Sequence, residues 1–253
     1  MRAYEALARV YDTLNRDVDH AAFAAFYEKI FARAGITPQL VLDLGCGTGK
    51  LTVEMAKRGF DMIGVDASAD MLSQAFERKY STTGAENVLF LQQDMRNFEL
   101  YGTVGAVVSS LDCVNYLTGD GDLARCFSLV HNYLDPDGIF VFDVNTPYKF
   151  EHVFGDNAYI LEDEDCYCGW QNEYDVANSL CKFYLSVFAE GEDGRYERAD
   201  EEQTERCYTR EELTAALTAA GFVDVAVFGD MDFGEPQEKT ERWFLVARCK
   251  KEV

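Results

Sequence analysis

A chain of 253 residues with 48% apolar side chains can bury one large core or two small ones. Its 23 Lys and Arg face 45 Asp and Glu, a formal net charge of −22, and such a surface repels phosphate backbones, so nucleic-acid partners are disfavoured. No apolar run approaches a membrane span and residues 1–10 lack the apolar segment of a secretory leader, so the eight cysteines are expected as free thiols in a reducing cytoplasm.

The first elements are helical. Tyr4, Leu7, Ala8 and Tyr11, then Phe23, Phe26, Tyr27, Ile30 and Phe31, recur at helical spacing over 4–12 and 21–34. Asp19 is placed to cap the second helix, and Gly35 and Pro38 stop it. From residue 40 strands and helices alternate. Strands are predicted near 40–44, 62–65, 88–91, 104–108 and 139–144. Helices are predicted from residue 51 to Gly59, from Ser68–Asp70 to about Tyr80, and over 122–134, the last capped near Asp120 and stopped by Asp135-Pro136-Asp137-Gly138. That rhythm predicts a parallel sheet with helices on both faces. After Tyr148 it changes. Residues 158–207 read as three or four antiparallel strands, with turns at 175–179 and 192–194. Thr209 and Glu212 then form a capping box for a helix ending at Gly221, and two strands close the chain near 223–228 and 243–248.

The first strand runs into Val41-Leu42-Asp43-Leu44-Gly45-Cys46-Gly47-Thr48-Gly49-Lys50, a buried strand turning tightly into a helix. Glycines there let backbone amides approach a ligand that side chains would block. A phosphate loop fails: its leading glycine would fall at Leu44 or Gly45, and Leu51 follows the lysine where Ser or Thr is required. A dinucleotide fingerprint needs glycine three residues beyond Gly47, where Lys50 stands. Asp66 ends the second strand, where an acid can accept both hydroxyls of a ribose. Cys166-Tyr-Cys168 lacks the four recognisably spaced ligands of a structural zinc site, and His20, His131 and His152 are far apart, so no metal is expected.

The glycine loop, Asp66 and Asp94 in that order resemble the class I S-adenosylmethionine (SAM) dependent methyltransferases. The resemblance is nearest to small bacterial members with an antiparallel β insertion after the fifth strand, and it covers nearly the whole chain. It implies an α/β fold: a Rossmann-like seven-stranded methyltransferase sheet with helices on both faces, ending in an antiparallel hairpin. It divides the chain into a SAM-binding domain (1–150 and 208–253, with helices of 1–38 as a cover) and an inserted β subdomain (151–207). SAM is the implied cofactor, with S-adenosylhomocysteine (SAH) as product. Gly45, Cys46, Gly47, Thr48 and Gly49 would carry it, with Asp43 ordering the loop or holding the ligand's amino group. Asp66 and Ala67 would meet the ribose. Met71 would pack on adenine or in the core. Asp94 would accept from the adenine amino group beside the Met95 amide. The segment Ser109–Leu117 would line the methyl-transfer centre, with Leu111 offering backbone and Asp112, Asn115 and Tyr116 facing either ligand or helix. It lacks the Asn/Asp-Pro-Pro-Tyr element of nitrogen methyltransferases that act on nucleic acid.

Tyr11 resembles the tyrosine of a Tyr-Asp pair that closes over the cofactor, or is a core residue. Asn145, Tyr148 and His152 would reach the same rim, so the candidates at the reacting centre are Tyr11, Asn115, Tyr148 and His152. His152 is the nearby candidate base at neutral pH, unless it is simply exposed. In-line methyl displacement depends on alignment and desolvation, so a general base is not obligatory. Trp170, Tyr174, Tyr184 and Phe188 would line an acceptor pocket, form the core of the insert or pair with a second copy as a homodimer. The implied function is methyl transfer to a small-molecule acceptor. A non-catalytic SAM-binding or scaffold protein and a NAD-dependent oxidoreductase are the alternatives.

Overall fold

The largely apolar run Leu40–Leu44 (β1), four of its five residues buried, lies inside a seven-stranded sheet, next to its central strand. The computed structural model describes residues 8–163, 166–191 and 193–251. The remaining strands of this sheet are β2 (Asp61–Asp66), β3 (Leu89–Gln92), β4 (Val104–Ser109), β5 (Leu134–Asn145), β10 (Phe222–Gly229) and β11 (Arg242–Cys249). Their order is β10-β11-β5-β4-β1-β2-β3. β1 to β5 pair in parallel, while β11 runs antiparallel to both β5 and β10. The chain winds outward from β1 through β2 to β3, then crosses back to β4 on the other side of β1. Ligands bind beyond the carboxyl ends of such strands, at this reversal.

Helices α1 (Ala8–Leu14), α2 (His20–Ala34), α3 (Lys50–Lys57), α4 (Ala69–Ser81), α5 (Asp122–Tyr133) and α6 (Arg210–Ala219) complete the layers. The start of the helix expected over 4–12, with Tyr4 and Leu7, lies outside the described residues. One face of the sheet buries Phe127, Phe140, Phe142, Leu213 and Leu217 under α5 and α6. The other buries Phe26, Tyr27, Phe31, Met55 and Phe244 under α2 and α3. Asp19 caps α2 by accepting from the Ala22 amide at 2.9 Å. The start of α5 differs from expectation: Gly121, at φ 79°, is its N-cap and makes no side-chain cap bond, while Asp122 rather than Asp120 accepts the Gly119 amide. The predicted stop at 135–138 is a bulge within β5. The pairing slips between Val104↔Leu134 and Ala106↔Ile139, with Asp137 left-handed at φ 62°.

The insertion is a separate four-stranded antiparallel sheet in the order β6 (Ala158–Asp163), β7 (Cys166–Asp175), β8 (Leu180–Glu190), β9 (Tyr196–Arg206). A π-helical turn, Lys149–Phe154, which the sequence pattern did not flag, leads into it. Phe150 and Phe154 of that turn pack on its inner face, with Phe154 5.1 Å from Phe183 and Phe150 5.8 Å from Tyr174 between ring centroids. Val10, Tyr11 and Leu14 of α1 join the same cluster. The four aromatics proposed as one group divide between the two faces, because side chains alternate along a strand. Trp170 and Tyr174 enter this core. On the opposite face Tyr184 donates to Glu173 at 3.0 Å and Phe188 lies against Tyr167. Cys166, Cys168 and Cys181 are buried in the same apolar cluster. Among the described residues no helix is long and apolar enough to cross a membrane.

Thr209 accepts from the Glu212 amide at 3.1 Å while Glu212 accepts from the Thr209 amide at 2.8 Å, a complete capping box at the return from the insert to the main sheet. Thr209→Ala is expected to destabilise the protein by about 1 kcal/mol, read as a shift in the urea midpoint at unchanged slope.

Candidate functional site

A cavity of about 680 Å³ opens at the carboxyl ends of β1 to β4. Gly45, Gly47 and Gly49 all adopt left-handed φ, at 82°, 52° and 73°, but for different reasons. A Cβ on Gly45 would fall 2.6 Å from Cys113 Sγ, and one on Gly49 would fall 2.9 Å from both Ala75 and Phe90. A Cβ on Gly47 would meet nothing within 4 Å and would stand in open space at the cavity wall. Gly45 and Gly47 therefore line the cavity, while Gly49 lets α3 pack against α4 and β3. The amides of Gly45 and Cys46 donate to the Val65 carbonyl at 2.8 and 3.0 Å. The Gly47 amide donates to Asp66 Oδ2 at 2.8 Å, and Asp66 Oδ1 accepts the Ser68 amide at 2.8 Å. Burial raises the pKa of the Asp66 carboxyl. Asp43, 1% exposed, accepts from Thr52 Oγ1 at 2.5 Å, which joins the end of β1 to α3. Burial moves its carboxyl up to about 7.

Helix α1 lies over the loop through Asp12. Its carboxylate accepts from Thr48 Oγ1 at 2.8 Å, pairs with Lys50 at 3.3 Å and pairs with Arg78 of α4. Arg78 also donates to the Thr48 carbonyl at 3.1 Å. Beside Asp12, Tyr11 lines the cavity, and burial together with the nearby acids pushes its phenol pKa up. His20, at the start of α2, lines it too. Its Nδ1 donates to the Val18 carbonyl at 3.0 Å, which leaves Nε2 as the acceptor, and burial plus the Lys50 charge lowers its pKa. No sequence motif marks His20; it meets the cavity only because α2 folds beside the loop.

At the far end Asp94 and Arg96 form a close pair. Arg96 Nε donates to Oδ1 at 2.9 Å and the second guanidinium nitrogen to Oδ2 at 2.5 Å, and these hydrogen bonds hold the Asp94 carboxyl below its ordinary pKa. Arg96 reaches on to Asp122 at 3.3 Å. Met71, 2% exposed, and Met95 complete this end.

The segment after β4 turns back on itself. Leu111 and Asp112 are successive non-glycine residues in the left-handed region, at φ 60° and 57°. Each such residue costs about 1–3 kcal/mol and persists only where its surroundings hold it. Both amides donate to the buried Asp143 carboxylate, at 2.9 and 3.0 Å. Arg242 pairs with Asp143 and donates to Asp112 at 2.8 Å. Ser110 Oγ meets the hydroxyl of the buried Tyr27 at 2.5 Å. Tyr116 lines the cavity and its hydroxyl donates to Gln203 of the insert at 2.8 Å.

Residues 41–138 match the protein family described as "Methyltransferase domain". Over 246 residues, covering 97% of this chain and 99% of the relative, the chain is 32% identical to a putative methyltransferase of Geobacillus sp. (strain WCH70). The crystal structure of an S-adenosylmethionine-dependent methyltransferase from Clostridium acetobutylicum ATCC 824 superposes with a TM-score of 0.86, at 28% identity, covering 99% of this chain and 100% of that one. The chain belongs to the class I SAM-dependent methyltransferases. It is also 32% identical over 151 residues, 59% of this chain and 60% of the relative, to dTDP-3-amino-3,4,6-trideoxy-α-D-glucopyranose N,N-dimethyltransferase of Streptomyces venezuelae.

SAM is thus the cofactor of this methyltransferase, and the cavity suits it: backbone faces open space at Gly47, and acids stand at the ends of β1, β2 and β3. Several residues expected at this centre lie elsewhere. Asn115 is fully buried and off the cavity wall, its Nδ2 donating to the Arg206 carbonyl at 2.8 Å and its Oδ1 accepting the Asn145 amide at 3.0 Å. Its amide group is spent on joining the insert to β5. The Asp112 carboxylate is likewise turned to Arg242 and away from the wall. Tyr148 and His152 belong to the π-helical turn and its start, off the cavity, with their rings 4.8 Å apart and the His152 side chain 58% exposed beside Glu151. The extra helical turn carries both away from the rim that an extended chain after β5 would reach. Asp12 is the acid of the Tyr-Asp pair that the resemblance implied, while His20, Arg96, Asp143 and Arg242 are contributors that the sequence did not single out as site residues.

Two measurements check this geometry. Gly47→Ala is expected to cost about 1–2 kcal/mol of stability from its left-handed φ and to weaken SAH binding about tenfold by intruding on the ligand. Gly49→Ala adds collisions with Ala75 and Phe90, so its melting temperature falls further. Calorimetric unfolding and SAH titration of both variants separate the two roles. An acid whose pKa is raised on folding contributes stability that is present below its unfolded value and lost as pH rises through its folded value. Asp43 therefore lowers the stability of the ligand-free protein between about pH 4 and about pH 7. Asp43→Asn should flatten the fall in melting temperature across that window; an identical slope in both proteins counts against it.

Proposed function

We propose that the protein transfers the SAM methyl group to a nitrogen of a small-molecule acceptor. The observation that carries this reading is the polar cluster of β9 to which the cavity-lining Tyr116 is bonded. Tyr116 bonds to Gln203, and Gln203 Nε2 donates to Glu201 at 2.7 Å. Glu201, Gln203 and Glu205 succeed one another at alternate positions of β9 and are all buried, at 4%, 7% and 3% exposure. Asn145 Nδ2 donates to Glu205 at 3.0 Å, and burial raises the Glu205 carboxyl well above the ordinary range. Carboxyl and carboxamide oxygens favour a donor-bearing or cationic acceptor, and an amine is both. The Streptomyces venezuelae relative, whose acceptor is an aminosugar nucleotide by its name, supports the same chemical class.

In this reading the backbone of Gly45–Thr48 follows the methionyl and ribose portions, and Asp66 accepts from the ribose hydroxyls while keeping the Gly47 amide. Asp94, oriented by Arg96, and the Met95 amide hold adenine against Met71. The Leu111 backbone flanks the methionyl part, and Tyr11 on α1 covers it. The acceptor approaches between α1, the 3-10 turn Cys113–Tyr116 and the wall of β9. SAM supplies an electrophilic sulfonium methyl, and attack by the nitrogen lone pair forms the C–N bond as the C–S bond breaks, its electron pair remaining on the sulfur of SAH. The alkylated ammonium then releases its proton to solvent, so no residue need act as a base. What Tyr11, Tyr116 and the wall contribute is alignment and exclusion of water.

Incubation with methyl-labelled SAM and matched panels of amines, alcohols and carboxylic acids tests the reading. Label is expected in amines alone; transfer confined to alcohols or acids overturns it, and SAH binding without transfer to any class favours a non-catalytic binder. In the same preparation SAM at about a hundred times its dissociation constant should stabilise the fold by about 2.7 kcal/mol, and NADH should not.

A further inference from the structure

We propose that Arg242 and Asp143 are positioning residues for the cofactor, acting by holding Leu111 and Asp112 in two successive left-handed conformations. The inference rests on the reading that this cavity receives SAM beside Leu111. Leu111 and Cys113 both line the cavity, and Cys113 Sγ stands 2.6 Å from where a Cβ on Gly45 would be and donates to the Gly45 carbonyl at 3.3 Å, so the segment after β4 is in contact with the glycine loop. Its path is nevertheless one that leucine and aspartate disfavour, with φ 60° and 57°. Asx residues tolerate this region; leucine does not, and two such residues in a row do not persist unsupported.

The support comes from the neighbouring strands. Asp143 of β5 is fully buried and spends one carboxylate oxygen on each of the two amides, Oδ1 on Leu111 at 2.9 Å and Oδ2 on Asp112 at 3.0 Å. Two amide donors alone do not offset a buried carboxylate. Arg242, the first residue of β11, supplies the missing charge. One guanidinium nitrogen bonds to Asp143, and the other donates to Asp112 Oδ1 at 2.8 Å, across 130 positions of sequence. The fork fits two acceptors at once, which a lysine ammonium does not reproduce. The register of β11 on β5, with Arg242 opposite Asn145 and Phe244 opposite Asp143, places the arginine at the end of the sheet facing this segment. The closing hairpin of the sheet therefore shapes the cavity wall that touches the methyl donor.

The test is SAH titration by calorimetry on the full chain, with the melting temperature of each variant measured alongside. Arg242→Met is expected to weaken SAH binding about tenfold. Adding Asp112→Gly to it should bring the affinity back to within about threefold of wild type, because glycine takes the left-handed conformation without strain and removes one of the two carboxylates that lose the arginine, while the two amides still hold Asp143. A purely structural role would lower the melting temperature and leave SAH affinity unchanged in the folded variant; that result overturns the proposal. If Arg242→Met does not fold, Arg242→Lys decides. It is expected to weaken binding about threefold, with the same rescue by Asp112→Gly, and wild-type affinity in it overturns the proposal. A wild-type chain that bound no SAH would overturn the cofactor reading and this inference together.

Discussion

The hydrogen bond from the Gly47 amide to Asp66 joins the two strands on which the site is built. β1 ends in a loop whose backbone must face open space, and a loop of three left-handed glycines has little conformational preference of its own. Asp66, at the end of β2, gives it a fixed acceptor at 2.8 Å, while the Val65 carbonyl takes the amides of Gly45 and Cys46. The carboxylate is half-buried at the cavity, and its partial desolvation is tolerable because two amides donate to it. The parallel register of β1 on β2, with Leu44 beside Val65, brings these groups together. The turn is therefore shaped before any ligand arrives, which lowers the ordering cost of binding.

Around that turn the molecule places carboxylates in successive tiers. Asp43 ties β1 to α3 through Thr52, Asp12 ties α1 to the loop and to α4, and Asp143 ties the segment after β4 to β11. Each acid has a hydrogen-bond donor or a cation in reach, as buried charge requires. This arrangement gives a few of the 45 acidic residues a local structural use near the cavity, separate from their effect on solubility.

Helix α1 is the element shared between the cofactor loop and the insert. Asp12 faces the loop, while Val10 and Leu14 enter the apolar core under β7 and β8, and Arg16 pairs with Asp163 of β6 at 2.8 Å. The cofactor loop and the insert are thus held by different faces of one helix.

The alternation of strands and helices, the capping box at Thr209, the turn from β1 into α3 and the acids at the ends of β2 and β3 were all legible in the sequence, because each is a local pattern whose partners lie within a few residues or recur at a fixed period. That was enough to identify the fold and the methyl donor. The π-helical turn carried no such pattern, and it removed Tyr148 and His152 from the site. Asn115 has the polarity of a site residue and is used instead to bond the insert to β5. Arg242 stands far along the chain from Asp112 and Asp143 and bears no motif; only the antiparallel return of β11 on β5 brings it to them. Sequence by itself determined the elements and the loop, since those depend on short-range backbone preference and apolar periodicity. Tertiary structure decided which polar side chains face the cavity and which are consumed in holding it, because that choice depends on strand register and on partners a hundred residues away.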